Sequence, residues 1–126
     1  MREILFRGKS KESKRHEWYF GGYVAFNCIS TIDGEVIVFS ETVGQFTGFT
    51  DYNGKKIFEG DIVKIDDKYI RYIEYSGECA AFVKFRYIDK QTSEFSGYLG
   101  KGYDNYKQTV EVIGNIHDNP ELLEGE

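Results

Sequence analysis

The segment Val43–Ile65 constrains this chain most, because two turn signals punctuate it at fixed points. Asn53-Gly54 is the strongest short-range hairpin turn, and it is flanked by Phe46–Phe49 and Lys55–Phe58. Glu59-Gly60-Asp61 then breaks the chain before the strand Ile62-Val63-Lys64-Ile65. Glycine takes conformations there that other residues are denied, and Asp61 can hydrogen-bond nearby backbone N–H groups. A Gly-Asp corner feeding a strand is common in small SH3-like barrels, so the expectation is a mainly β fold.

Strand signals extend on both sides of this hairpin. Ile4 and Phe6 alternate with polar neighbours in a short first strand, followed by a polar linker over Gly8–Glu17. Trp18-Tyr19-Phe20 leads through Gly21-Gly22 into a strand over Tyr23–Ile29. Asp33-Gly34 predicts a two-residue type I′ turn between Ile29–Ile32 and Val36–Phe39. Lys68–Tyr75 and Cys79–Tyr87 read as strands around Ser76-Gly77. In the second of these, Val83, Phe85 and Tyr87 share one face, and Lys84 and Arg86 the other. Gln91–Tyr106 is polar and weakly patterned and reads as a long loop. Thr109–Ile116 is the last strand. Asn119-Pro120 supplies an N-cap and first-turn proline for a short helix over Glu121–Glu124.

The expected organisation is a single β domain over 1–126. An N-terminal strand, loop and hairpin occupy 1–42, and a barrel-like core with extra strands and a C-terminal helix occupies 43–126. Phe, Tyr and Trp make 17% of the chain, which is core material first; a surplus of exposed rings would mark a subunit or ligand interface. Cys28 and Cys79 are expected as free, buried thiols of a cytoplasmic protein, since no stretch approaches a membrane span or a signal peptide.

The chemistry available is sparse. Two His and two Cys stand at no metal-ligand spacing, and Asp66-Asp67 reads as a solvated turn, so neither a metal nor another cofactor is expected. Nothing local pairs a cysteine with His117 for nucleophilic catalysis. In Asp61-Ile62-Val63-Lys64 the Lys lies three positions beyond the Asp. A strand places those two side chains on opposite faces, which rules out a shared nuclease-type metal site. Gly44-Gln45-Phe46-Thr47-Gly48 leads into a hairpin and lacks the strand-to-helix turn of a phosphate loop. No catalytic residue is assigned; an enzyme would use a carboxylate pair such as Glu59 and Asp61, two positions apart.

Charge is unevenly spread. The net charge is −5, yet residues 1–16 carry +4 and the rest −9. An acidic body repels a phosphate backbone, which disfavours nucleic acid as a partner. The alternative keeps nucleic-acid binding through the basic arm, with Arg2, Arg7, Lys9, Lys11, Lys14 and Arg15 on phosphates and exposed rings stacking on bases.

The run Val43-Gly44-Gln45-Phe46-Thr47-Gly48-Phe49 and then Asp51–Val63 resembles the signature of the YopX family, small proteins encoded mainly by phages and prophages. Arg2-Glu3-Ile4-Leu5-Phe6-Arg7 is similar to the family's opening, and Glu111–Leu123 to its close. Gly8-Lys9 departs from the aromatic often found there, and Tyr69–Tyr106 carries no recognised motif. The resemblance implies an SH3-like β-barrel element with additional strands and a phage or prophage origin, and it carries no catalytic residue. Gln45, Phe46, Thr47, Asp51, Glu59, Asp61 and Asn115 are the signature's candidate binding residues. The signature residues themselves read better as architecture: Gly44, Gly48, Gly54 and Gly60 for turns, Asp61 and Asn119 for capping, Ile57, Ile62, Val112 and Ile113 for core. The expected function is a non-catalytic module that binds a protein partner or self-associates.

Overall fold

The computed structural model describes residues 4–11, 17–25, 27–89, 92–99 and 109–124. It is mainly β, with two antiparallel sheets and one short helix. The chain divides into two compact units, Met1–Gly48 and Phe49–Glu126. The division falls six residues beyond the boundary expected at 42/43 and lies inside a strand, at Gly48, whose φ of +90° is open to glycine.

In the first unit, β1 (Phe6–Lys9), β2 (Trp18–Ala25), β3 (Cys28–Thr31), β4 (Gly34–Ile37) and the start of β5 (Gly44–Thr50) are ordered β4-β3-β2-β1-β5. The sheet curls back at one end. Ser10 bridges Val38, Lys11 N–H donates to Ile37 O at 3.0 Å, and Phe39 N–H donates to Lys9 O at 2.8 Å. Ile29 and Val38 are fully buried inside this curl. A 3-10 turn, Ser40–Thr42, follows. Buried Thr42 ties it to β1, its Oγ1 accepting from Lys9 N–H at 2.9 Å and donating to Phe39 O at 2.6 Å.

Four expectations are corrected in this unit. The linker over Gly8–Glu17 starts later, because Gly8 and Lys9 belong to β1 and Ser10 is buried. No strand runs over Tyr23–Ile29: β2 ends at Ala25 and β3 returns antiparallel, with Ala25 opposite Cys28. Gly21-Gly22 is the middle of β2 and not a connector. A Cβ on Gly21 would lie 1.9 Å from Ser30 O, so glycine there permits close approach of β3. Thr31 pairs with Gly34, which moves the hairpin turn one residue earlier, to Ile32-Asp33; neither has the positive φ of a type I′ turn. Thr31 stabilises it through its hydroxyl, which accepts from Asp33 N–H and donates to Gly34 O.

The second unit contains the end of β5 and its hydrogen-bonded neighbour β6 (Lys56–Phe58). Its larger sheet is formed by β7 (Asp61–Ile65), β8 (Tyr69–Ser76), β9 (Ala81–Asp89), β10 (Thr92–Tyr98) and β11 (Val110–Asn115), ordered β10-β9-β8-β7-β11. The core is Ile57, Val63, Ile65, Ile73, Leu99 and Val110, with Phe49, Phe82 and Val112 packed against it. Helix α1 (Glu121–Glu124) lies against β8 and β9 and buries Leu123.

The loop expected over Gln91–Tyr106 is corrected in its first half, since β10 pairs with β9 from Thr92 to Tyr98; residues 100–108 lie outside the described ones. Register shifts at Thr92/Ser93 and Phe95/Gly97 break the period-2 pattern by which a strand is read. Lys84 is 2% exposed: the alternation along β9 holds, yet Lys84 sits opposite core Ile73. Its aliphatic stem extends that apolar row. Gly44 makes no turn, being a β5 residue paired with Arg7. Asn119 Oδ1 accepts from Asn115 N–H at 3.2 Å, and it is the Asn119 carbonyl that accepts from Leu122 N–H of α1, at 3.1 Å. Cys79 is exposed and Cys28 half-buried; both are free.

The adjacent glycines of β2 give a paired test. Gly21→Ala is expected to cost at least about 2 kcal/mol, because backbone must move. Gly22→Ala meets nothing within 4 Å and is expected to change stability by less than about 1 kcal/mol. Urea unfolding followed by fluorescence of Trp18, the sole tryptophan, measures both; equal effects would contradict the close approach.

Candidate functional site

The signature's polar residues are placed by turns, and their side chains bind the chain's own backbone. Asp51 ends β5 and is 3% exposed. Its Oδ1 accepts from Asn53 N–H at 2.9 Å and Lys55 N–H at 2.8 Å, and its Oδ2 from Val112 N–H at 3.0 Å. Gly54 N–H donates to Asp51 O at 3.0 Å, with Gly54 at φ +84°. Tyr52-Asn53 is thus the centre of a type I turn closed by a left-handed glycine, a longer loop than the two-residue form. Tyr52 N–H donates to Val110 O at 2.7 Å, so the hairpin tip is joined twice to β11.

Asp61 is 2% exposed and accepts from Phe58 N–H through Oδ2 at 2.7 Å, as the Gly-Asp corner predicts. Gly60, at φ +91°, donates to Ile73 O and accepts from Ile116 N–H. Asn115 orders the turn after β11: its Oδ1 accepts from His117 and Asp118 N–H at 3.0 and 2.9 Å. Phe46 and Thr47 are buried in β5, and Gln45 is half-buried opposite Phe6. Most of the signature candidates are therefore built into backbone hydrogen bonds or into the interior.

Glu59 is half-buried beside the corner. Its neighbour in charge is Glu74, whose carboxyl is held above the usual carboxylate value by burial first and by Glu59 second. Among the described residues no group of three or more His, Cys, Asp or Glu could hold a metal.

The basic arm is only partly available. Arg7 is 8% exposed, and its guanidinium lies 4.6 Å from the centroid of Trp18. Lys9 Nζ stands 5.8 Å from the same ring, and exposed Lys11 places its Nζ 5.5 Å from Phe39. Arg2, Lys14 and Arg15 lie outside the described residues.

A different group of side chains reaches solvent at one end. Ile62, Tyr72, Phe85 and Phe95 are successive cross-strand partners over β7, β8, β9 and β10, so they form one row on one face. Ring centroids are 5.7 Å apart for Tyr72–Phe85, 6.4 Å for Phe85–Phe95 and 5.8 Å for Phe95–Tyr98. The row starts at fully buried Ile62 and ends in solvent, with Phe95 50% and Tyr98 46% exposed. Tyr72 hydrogen-bonds Ser93. The Tyr98 phenol is held above its ordinary value by a hydrogen bond with Cys79. Sequence reasoning missed this row because it needs β10, whose bulges hide its strand pattern; the alternation of Val83, Phe85 and Tyr87 was its one visible trace.

Residues 5–124 match the family model described as YopX protein. The chain belongs to the YopX family. Among curated proteins, none matches it. The YopX match spans the Asp51 hairpin, the Gly60-Asp61 corner and the Asn115 turn together. No helix among the described residues of this YopX protein is long and apolar enough to cross a membrane.

Two predictions follow from the carboxylates. Asp51→Ala strands three backbone N–H donors and is expected to lower stability by about 3–5 kcal/mol, with Asp51→Asn intermediate, as read by urea unfolding followed by circular dichroism. A loss under about 1 kcal/mol would contradict its structural role. Glu74 has a raised folded-state pKa, so the folded chain holds its proton more tightly than the unfolded chain. The associated stability is complete below the unfolded value and is lost as pH rises through the folded one. Glu74→Gln is expected to be more stable than the parent at neutral pH and to flatten the decline above the acid range; identical pH profiles would contradict this.

Proposed function

We propose that this YopX chain is a phage- or prophage-encoded, non-catalytic β protein that acts by binding another protein or by assembling with itself. The observation that carries the reading is the row Tyr72–Phe85–Phe95–Tyr98, which leads from half-buried Tyr72, beside fully buried Ile62, to two exposed rings. Aromatic side chains of this kind are over-represented at protein interfaces because they bury large area at little entropic cost. The engagement of Asp51 and Asp61 with backbone donors supports the non-catalytic part, since neither carboxylate is presented to a substrate. The reading places the protein in the host bacterial cytoplasm and takes the strands of 43–126 as an elaborated SH3-like barrel element.

Nucleic-acid binding through Lys9 and Lys11 is the competing reading, weakened by the stacking of buried Arg7 on Trp18. Light scattering on the purified protein, and affinity capture from phage-bearing cells with and without nuclease, separate the two. The expected result is an assembly or protein partner that survives nuclease and weakens about 10- to 100-fold in Phe95→Ser/Tyr98→Ser. A strict monomer whose captured partners vanish on nuclease treatment would overturn the proposal.

A further inference from the structure

The hairpin tip holds the chain's only Asn-Gly dipeptide, Asn53-Gly54. Asn-Gly is the pair most prone to self-cyclisation, because glycine leaves the following backbone nitrogen unhindered. Both residues are exposed, and a Cβ placed on Gly54 would meet nothing within 4 Å. Among the described residues nothing hydrogen-bonds the Asn53 carboxamide, which leaves its carbonyl carbon open to attack. The nucleophile is differently placed. Gly54 N–H is engaged by Asp51 O at 3.0 Å, and the flanking amides of Asn53 and Lys55 are both held by Asp51 Oδ1.

We propose that Asn53 is a deamidation site whose rate is set by the Asp51 clasp on the turn. In the reaction the Gly54 backbone nitrogen bonds to Asn53 Cγ, and the Cγ–Nδ2 bond breaks. Ammonia leaves carrying the proton lost from the Gly54 nitrogen. Water then opens the succinimide at either carbonyl, restoring the Gly54 N–H and giving aspartate or isoaspartate. To reach Cγ, the Gly54 nitrogen must swing out of its bond to Asp51 O, so the reaction proceeds from an opened turn. The isoaspartate product adds a methylene to the main chain between residues 53 and 54. That lengthens the loop which Asp51 spans with its bonds to Asn53, Gly54 and Lys55, and it loosens the tip from β11.

The test is peptide mass spectrometry of the full chain incubated at neutral pH, with isoaspartate resolved from aspartate. Three conditions are compared: the native protein, the chain in denaturing urea, and Asp51→Ala. The expected rate at Asn53 is at least about tenfold slower in the native protein than in urea, and Asp51→Ala approaches the urea rate. To separate the clasp from global unfolding of Asp51→Ala, the native chain is also followed in urea below its unfolding transition. There the rate at Asn53 rises before the transition, while Asn27 and Asn115 remain unmodified. Equal rates in native and unfolded chains, or acceleration only at global unfolding, would overturn the proposal.

Discussion

One carboxylate organises the second unit. Asp51 accepts three backbone N–H groups, two from the turn that follows it and one from Val112, sixty-one residues away in sequence. A buried charge is tolerable only when its lone pairs are filled, and charge-assisted bonds to backbone amides fill them here. The consequence is a fixed distance between the β5–β6 hairpin and β11. Ile57 of that hairpin and Val110 of β11 belong to the same core, so the hydrophobic packing relies on a polar clasp at its rim.

The corner at Gly60-Asp61 repeats the device over a shorter span. Asp61 accepts from Phe58, three residues before it, and Gly60 exchanges bonds with β8 and with the segment after β11. Both acidic residues follow the same logic: a short side chain next to a turn substitutes for a missing backbone partner. This accounts for Asp51 and Asp61 of the family signature without invoking a ligand. The solvent-facing chemistry of the unit lies elsewhere, on the aromatic row that ends at Phe95 and Tyr98.

What was legible in the sequence was whatever a single residue type dictates. Gly54 and Gly60 both adopt the positive φ for which glycine is suited, so the hairpin and corner could be located from the sequence. The mainly β class followed from the same punctuation. Features that depend on pairing were not legible. The turn between Ala25 and Cys28 has no glycine signal, and β10 loses its alternation at two bulges. Arg7 reads as a solvent-facing base, but Trp18, on the neighbouring strand, covers it with an aromatic face. Alternation places Lys84 on one face with Arg86, and its partner Ile73 reveals that this side of β9 faces the core at Lys84. For the candidate site, the sequence supplied the signature residues and not the aromatic row.

The account holds that the signature carboxylate is a structural clasp. Native-state hydrogen exchange at the amides of Asn53, Lys55 and Val112 tests that most directly. All three are expected to exchange far more slowly than in the unfolded chain, and the two turn amides, though at an exposed tip, to be protected together with Val112 of β11. Turn amides exchanging at the unfolded rate while Val112 stays protected would contradict the account.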